Sequence, residues 1–302
     1  MPRLPVNLES ASNSIELEYE SFGPAGAPAI LLIMGLGAQL TRWNIELCDL
    51  LVARGYRVIR FDNRDCGLST HCTALPLPDI AAALRGAPLS VLPYTLETMA
   101  ADSIGLLDAL GIEQAHLAGA SMGASIAQII AARFPERTLS LTSIMSSSGN
   151  PMLPPPAPAA AMALFAPLPA RRDRESIIDD GIVRYRAIAS PGYPTPPEAL
   201  KQMFGQEYDR SYYPPGVARQ LGAILANGDR RHLLKSIACP SVVLHGKEDP
   251  LIPPACGQDV ARHIANAEMR EIAGMGHDFP VALTGVFADA ICAAAGRAAI
   301  GG

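Results

Sequence analysis

No C-x-x-C pair and no zinc-type spacing occurs among the six cysteines, at positions 48, 66, 72, 239, 256 and 292. They read as reduced thiols, several of them buried, not as a disulfide framework or a metal site. Basic charge is not in excess. Lys and Arg number 24 against 29 Asp and Glu, leaving a net charge of −5 and an isoelectric point near 5.7. That balance disfavours a nucleic-acid partner, because no basic face dominates. No apolar run approaches the length of a bilayer crossing. The opening Met1-Pro2-Arg3-Leu4-Pro5 also lacks the apolar core of a signal peptide. A cytoplasmic protein without a membrane partner is expected, as a monomer or homodimer. No dinucleotide-type glycine pattern opens a helix and no Walker A sequence is present, so neither a cofactor nor a metal is expected. Charged residues make up only 18% against 49% hydrophobic, which excludes a disordered chain.

What is present is a long alternation of strand-like and helix-like stretches. Residues 15–22 alternate apolar and polar, predicting an antiparallel strand with one wet face. Residues 28–34 are continuously apolar, as in a strand covered on both sides. A helix over 43–54 and a strand over 56–61 follow. Residues 75–93 are rich in Pro and Ala and read as irregular. Thr95 is placed to cap a helix whose apolar face is Leu96, Met99, Ala100, Ser103, Leu107 and Leu110. A strand over 139–145 ends this part. The pattern predicts an α/β fold with a mostly parallel central sheet and helices on both faces.

At Gly149 the character changes. Residues 151–215 hold 13 of the 27 prolines, and no convincing strand precedes residue 240. Helices are expected near 158–166, 173–189, 197–209 and 216–226. Residues 150–230 therefore read as an inserted helical cap on a core made of 1–149 and 231–302. The alternation resumes with a strand at 241–245, a helix near 255–265, a strand near 268–273 and a last helix from about 280. No internal repeat is found.

The chain is organised around Gly119-Ala120-Ser121-Met122-Gly123, between an apolar run and a helix-spaced stretch stopped by Pro135. A G-x-S-x-G pentapeptide in strand–turn–helix context holds its serine on a tight, strained turn at a helix N-terminus. Glycines two residues to either side remove the Cβ clashes of such a turn. A serine hydroxyl needs a base, and the base needs a carboxylate to orient it. Among six histidines, His277 stands out, in a glycine-flanked loop between a predicted strand and the last helix. His116 falls inside a strand, His232 and His263 on helices, and His71 in a loop without periodic context. His245 ends a strand and reads as a packing or turn residue. Asp249, just past the 241–245 strand and stiffened by Pro250, is the expected acid; Glu248 should point elsewhere, and Asp278 reads as a helix N-cap. Asp62 and Arg64 are expected to pair and pin their loop, and Cys66 beside them has no partner base. Ser121, Asp249 and His277 occur in the order known for α/β-hydrolases. The Met122 N–H and, from the early Gly35-Leu36-Gly37 turn, the Leu36 N–H are candidate donors to an oxyanion.

The stretches Met34-Gly35-Leu36-Gly37, Phe61-Asp62-Asn63-Arg64-Asp65-Cys66-Gly67-Leu68-Ser69, Gly119–Gly123, Gly246–Asp249 and Gly276-His277 together resemble the α/β-hydrolase superfamily over nearly the whole chain. Within it the chain is most similar to aclacinomycin methylesterase-like enzymes, through Met34-Gly35, Ala120-Ser121-Met122-Gly123 and Ile272-Ala273-Gly274-Met275-Gly276-His277. Many relatives carry His-Gly where Met34-Gly35 stands here; that histidine is outside the triad. The resemblance implies a serine carboxylesterase acting on a small-molecule ester. Under the cap, a pocket of Gly35, Met162, Phe165, Tyr185, Phe204, Tyr208 and Tyr212 would suit an apolar substrate. The same triad would also serve a C–C or enol-lactone hydrolase or a cofactor-free perhydrolase, and a non-catalytic ligand-binding homologue is the reading of another class.

Overall fold

A computed structural model describes residues 2–6, 15–166 and 169–300. Met1 and residues 7–14, 167–168 and 301–302, which the expected core and cap boundaries include, lie outside it. The continuous apolar runs become strands covered on both faces. In chain order the sheet is built from β1 (Arg3–Val6), β2 (Ile15–Phe22), β3 (Ala29–Ile33), β4 (Arg57–Phe61), β5 (Ala115–Ala120), β6 (Thr138–Ile144), β7 (Ser241–Gly246) and β8 (Glu268–Ile272). Their spatial order is β1-β2-β4-β3-β5-β6-β7-β8. β1 and β2 run antiparallel, β2 joins β4 antiparallel, and every later pairing is parallel. The short β1, with a proline at its third position, carries no alternation long enough to announce itself in the sequence.

The helices that connect the strands are α1 (Ile45–Ala53), α2 (Ile80–Leu84), α3 (Leu96–Ala109), α4 (Met122–Arg133), α5 (Pro158–Phe165), α6 (Arg174–Arg186), α7 (Pro197–Arg210), α8 (Pro214–Asn227), α9 (Arg231–Leu234), α10 (Pro254–His263) and α11 (Thr284–Ile300). Alternate strand residues serve opposite faces. Leu31, Ile33, Leu117, Leu141 and Val243 pack with Leu96, Met99 and Leu107 of α3 and Ile126 and Ile130 of α4. Ile30, Leu32, Ala118, Ile144 and Leu244 pack with Leu47 and Leu51 of α1 and Phe287 and Ile291 of α11. Each buried Leu, Ile, Val, Met or Phe side chain among them contributes about 1.5–3 kcal/mol by leaving water.

Thr95 caps α3 as expected, in a reciprocal pair with Thr98. Three expectations are corrected. Residues 75–93 contain α2, started by Asp79, whose Oδ1 accepts from the Ala82 N–H at 2.9 Å. Residues 281–298 form a helix long and apolar enough to cross a membrane by length and composition. Its Phe287, Ala288, Ala290, Ile291 and Ala294 are buried against the sheet, so its apolarity serves the core. Asp62 and Arg64 do not pair. Asp62 Oδ2 takes Arg210 Nη1 at 2.6 Å, while Arg64 makes a bidentate pair with buried Asp102 at 2.5 and 2.6 Å. The chain turns directly after β4, and each of the two side chains finds its counter-charge on a different element, Asp62 on α7 and Arg64 on α3.

His116 lies inside β5, 6% exposed, with Nδ1 2.9 Å from Ser140 Oγ. Burial pushes its imidazole down from 6.5 to about 4. The unfolded chain therefore takes up a proton between those values that the folded chain refuses. Stability should fall as pH drops from 6.5 towards 4, by up to about 3 kcal/mol. Urea melts at pH 7 and 4.5 should show this extra loss in the wild type and not in His116→Asn; equal losses would contradict it.

Candidate active site

Ser121 sits between β5 and α4 with φ 54° and ψ −119°, a strained conformation for a residue with a Cβ. Its N–H donates to the Ile144 carbonyl at 2.9 Å, tying the turn to β6. A Cβ on Gly119 would come within 2.3 Å of the Gly123 carbonyl oxygen, and one on Gly123 within 2.1 Å of the Ile33 carbonyl oxygen. Both glycines are thus fixed by close backbone approach. The half-buried Ser121 side chain stands over the start of α4, where the dipole favours negative charge. The Met122 and Leu36 N–H groups have no hydrogen-bond partner among the described residues. Gly35, the residue before Leu36, lies against the serine: a Cβ there would sit 3.2 Å from Ser121 Cβ.

The three side chains distant in sequence meet. Ser121 Oγ lies 3.1 Å from His277 Nε2, and His277 Nδ1 lies 2.7 Å from Asp249 Oδ2. An Nδ1–H donating to the carboxylate leaves Nε2 free to accept the serine proton. Asp249 and His277 are 4% and 8% exposed, so water does not compete for their bond. Asp249 Oδ1 accepts from the Leu251 and Ile252 N–H groups at 2.9 and 2.8 Å, which fixes its rotamer. Burial alone would raise this carboxyl. The electrostatic interaction with His277 and hydrogen bonds from His245 and His277 overcome that and hold it well below the usual carboxylate range.

His245 does more than terminate β7. It is fully buried, donates from Nε2 to the Ile252 carbonyl at 2.7 Å, and brings that nitrogen within 3.4 Å of Asp249 Oδ2. It thus braces the turn that presents the acid. Glu248 points away as expected and accepts from the Gly274 N–H. Asp278 is a further correction: it caps no helix. It is buried and accepts from the Ser190 N–H and Oγ–H and from Tyr185 O–H at 2.9 Å. The His277 loop is held by the same segment, through His277 N–H to the Ile188 carbonyl at 2.7 Å and Gly276 N–H to Ser190 Oγ at 2.8 Å. Trp43, Phe279 and Phe287 form a ladder behind it, with ring centroids 4.9 Å apart at each step.

The expected pocket residues divide. Tyr185 is buried and meets Phe204 edge-on at 6.1 Å; Tyr208 stacks on Tyr212 at 5.2 Å. Arg42 lies 4.7 Å from the Phe204 ring and is neutralised by Glu207. Met162 is 75% exposed and Phe165 37%, the least covered of the set apart from Tyr212 at 39%. α5 carries apolar residues all round its short length, and the sequence held no periodicity to say which would be covered. Of the remaining histidines, His71 stacks on Tyr213 at 3.9 Å and His263 Nδ1 meets the Asp259 carbonyl. Burial pushes the Cys66 thiol well up, the reverse of an activated nucleophile. Sequence reasoning missed His245, Asp278 and Ser190 as supports, since no motif marks a partner supplied by another element.

Known proteins resemble this chain over most of its length. It is 28% identical to rhodomycin D methylesterase DnrP of Streptomyces peucetius, across 93% of this chain and 95% of that one. It is 26% identical to 3-oxoadipate enol-lactonase 2 of Acinetobacter baylyi, across 85% of each. The crystal structure of the enol-lactonase from Burkholderia xenovorans LB400 superposes with a TM-score of 0.70 at 24% identity, covering 97% of this chain and 99% of that one. The model of the α/β hydrolase fold family matches residues 28–281, and the chain belongs to that family.

Proposed function

We propose that the protein is a serine carboxylesterase that works through an acyl-enzyme on apolar small-to-medium esters. The observation that carries this reading is the unbroken hydrogen-bond chain from Ser121 through His277 to Asp249, with its serine on a strained turn. Ser121 Oγ attacks the ester carbonyl as its proton passes to His277 Nε2. The carbonyl oxygen becomes an oxyanion held by the Met122 and Leu36 N–H groups. The tetrahedral intermediate collapses, the C–O bond to the alcohol breaks, and His277 returns the proton to the leaving oxygen. Water then repeats the sequence on the acyl group and releases the acid. Asp249 keeps the imidazole in the required tautomer and balances its charge when protonated.

Residues 150–230 act in this reading as a lid over the serine, and Tyr185, Phe204, Tyr208 and Tyr212 supply its apolar side. Arg42 is paired with Glu207, so its own charge is already matched there. The similarity to methylesterases supports an ester; the similarity to an enol-lactonase keeps a lactone as the second reading.

A substrate panel tests it. Methyl and p-nitrophenyl esters of increasing chain length, an enol lactone and a vinylogous diketone should be compared on purified protein. Esters should be turned over fastest, with a burst of p-nitrophenol. A preference for the lactone or the diketone would move the assignment to those reactions, and no turnover of any would leave a binding protein.

A further inference from the structure

Arg230 is an arginine in the core without an acid to match it. It is 5% exposed and makes no ion pair among the described residues. Its Nη1 donates to Asn227 Oδ1, its Nε to Gln128 Oε1 at 3.3 Å, and its Nη2 to the Ser147 carbonyl and to Ser125 Oγ at 2.9 Å. Burial lowers it to about 10, with the more distant Glu97 and Asp229 acting the other way. Asp229 is itself paired with Arg231 at 2.6 Å. A buried cation held only by neutral groups is costly, and its field is little screened.

The hydroxyls beyond it have a fixed direction. Guanidinium only donates, so Ser125 Oγ accepts from Arg230 and its own proton goes to Ser146 Oγ, 3.2 Å away. Ser146 Oγ–H donates in turn to the Ser121 carbonyl at 2.9 Å. That carbonyl and the Met122 N–H belong to one peptide unit. Pulling electron density towards the oxygen makes the N–H at the other end a stronger donor, and chains of hydrogen bonds that begin at a charge reinforce one another. Both hydroxyls are buried, Ser125 8% and Ser146 2% exposed, so water does not substitute for either.

We propose that Arg230, Ser125 and Ser146 form a one-way relay that polarises the Ser121–Met122 peptide and strengthens the Met122 N–H as an oxyanion donor. The three are positioning residues; none touches substrate. The proposal rests on the esterase reading above, and deepens it by giving the oxyanion site a charge source within the fold.

The experiment is infrared difference spectroscopy of the acyl-enzyme formed with p-nitrophenyl pivalate carrying a ¹³C carbonyl, beside steady-state kinetics on p-nitrophenyl acetate. Ser146→Ala should still acylate, with kcat about tenfold lower, KM unchanged and the acyl carbonyl band moved to higher wavenumber. Ser146→Thr, which keeps the hydroxyl, should restore both. Should Ser146→Ala not fold, Ser125→Ala breaks the relay one step earlier and is read in the same way. A wild-type band in the variant, or a fall in kcat with the band unmoved, overturns the relay and leaves the esterase reading standing. Absence of any acyl-enzyme in the wild type overturns both.

Discussion

Replacing Ser121 by alanine is expected to lower kcat on p-nitrophenyl esters by between about ten-thousandfold and a millionfold. The loss should reach the upper figure if the hydroxyl is the sole nucleophile, because His277 and Asp249 have nothing to activate without it. Folding should be unaffected. Alanine keeps the Cβ that the strained turn already tolerates, and the N–H bond to the Ile144 carbonyl does not involve the side chain. A thermal melt that overlays the wild type, alongside abolished turnover, is therefore the expected pair of results. Retained turnover would mean that another group does the chemistry; Cys66, pushed up by burial, is not such a group.

Replacing Asp249 by asparagine should cost about ten-thousandfold in kcat with little change in KM. The Leu251 and Ile252 N–H groups would still fix one side-chain oxygen. The amide nitrogen would then stand where Oδ2 meets His277 Nδ1 and would donate to it. That forces the proton onto Nε2, so that the imidazole presents N–H to Ser121 and has no lone pair to take its proton. A second consequence follows from the depressed Asp249 carboxyl. Its ionised form contributes stability that is fully present above the ordinary aspartate value of about 3.9 and is lost as pH falls below it towards the folded value. Acid melts should show a pH-dependent loss below about pH 4 in the wild type that is smaller in Asp249→Asn. Equal acid sensitivity, or a variant with near-normal kcat, would mean that the carboxylate does not orient the histidine.

The parts of this site that were readable in the sequence have local causes. A serine on a turn with positive φ demands glycines at fixed offsets, so Gly119 and Gly123 betray the elbow. His277 and Asp249 occupy loops directly after parallel strands, and the right end of such a sheet is set by topology. Buried strands read as apolar runs, so the sheet emerged apart from the short edge strand β1. The remaining contacts depend on how α6, α7, the residues after α6 and the loop after β6 dock. Asp62 meets Arg210, 148 residues away, instead of its neighbour Arg64. Asp278 takes its donors from Tyr185 and Ser190, and Ser146 reaches the Ser121 carbonyl from the loop after β6. Those pairings carry no periodicity or spacing. They are decided by which polar group is left without water when two elements close on each other.

Intact-protein mass spectrometry after treatment with a fluorophosphonate, followed by peptide mapping, addresses the convergence of Ser121, His277 and Asp249 over one carbonyl-sized spot. A single adduct on Ser121, absent from Ser121→Ala and strongly slowed in Asp249→Asn, is the predicted result. An unlabelled wild-type protein, or an adduct on any other residue, would contradict it.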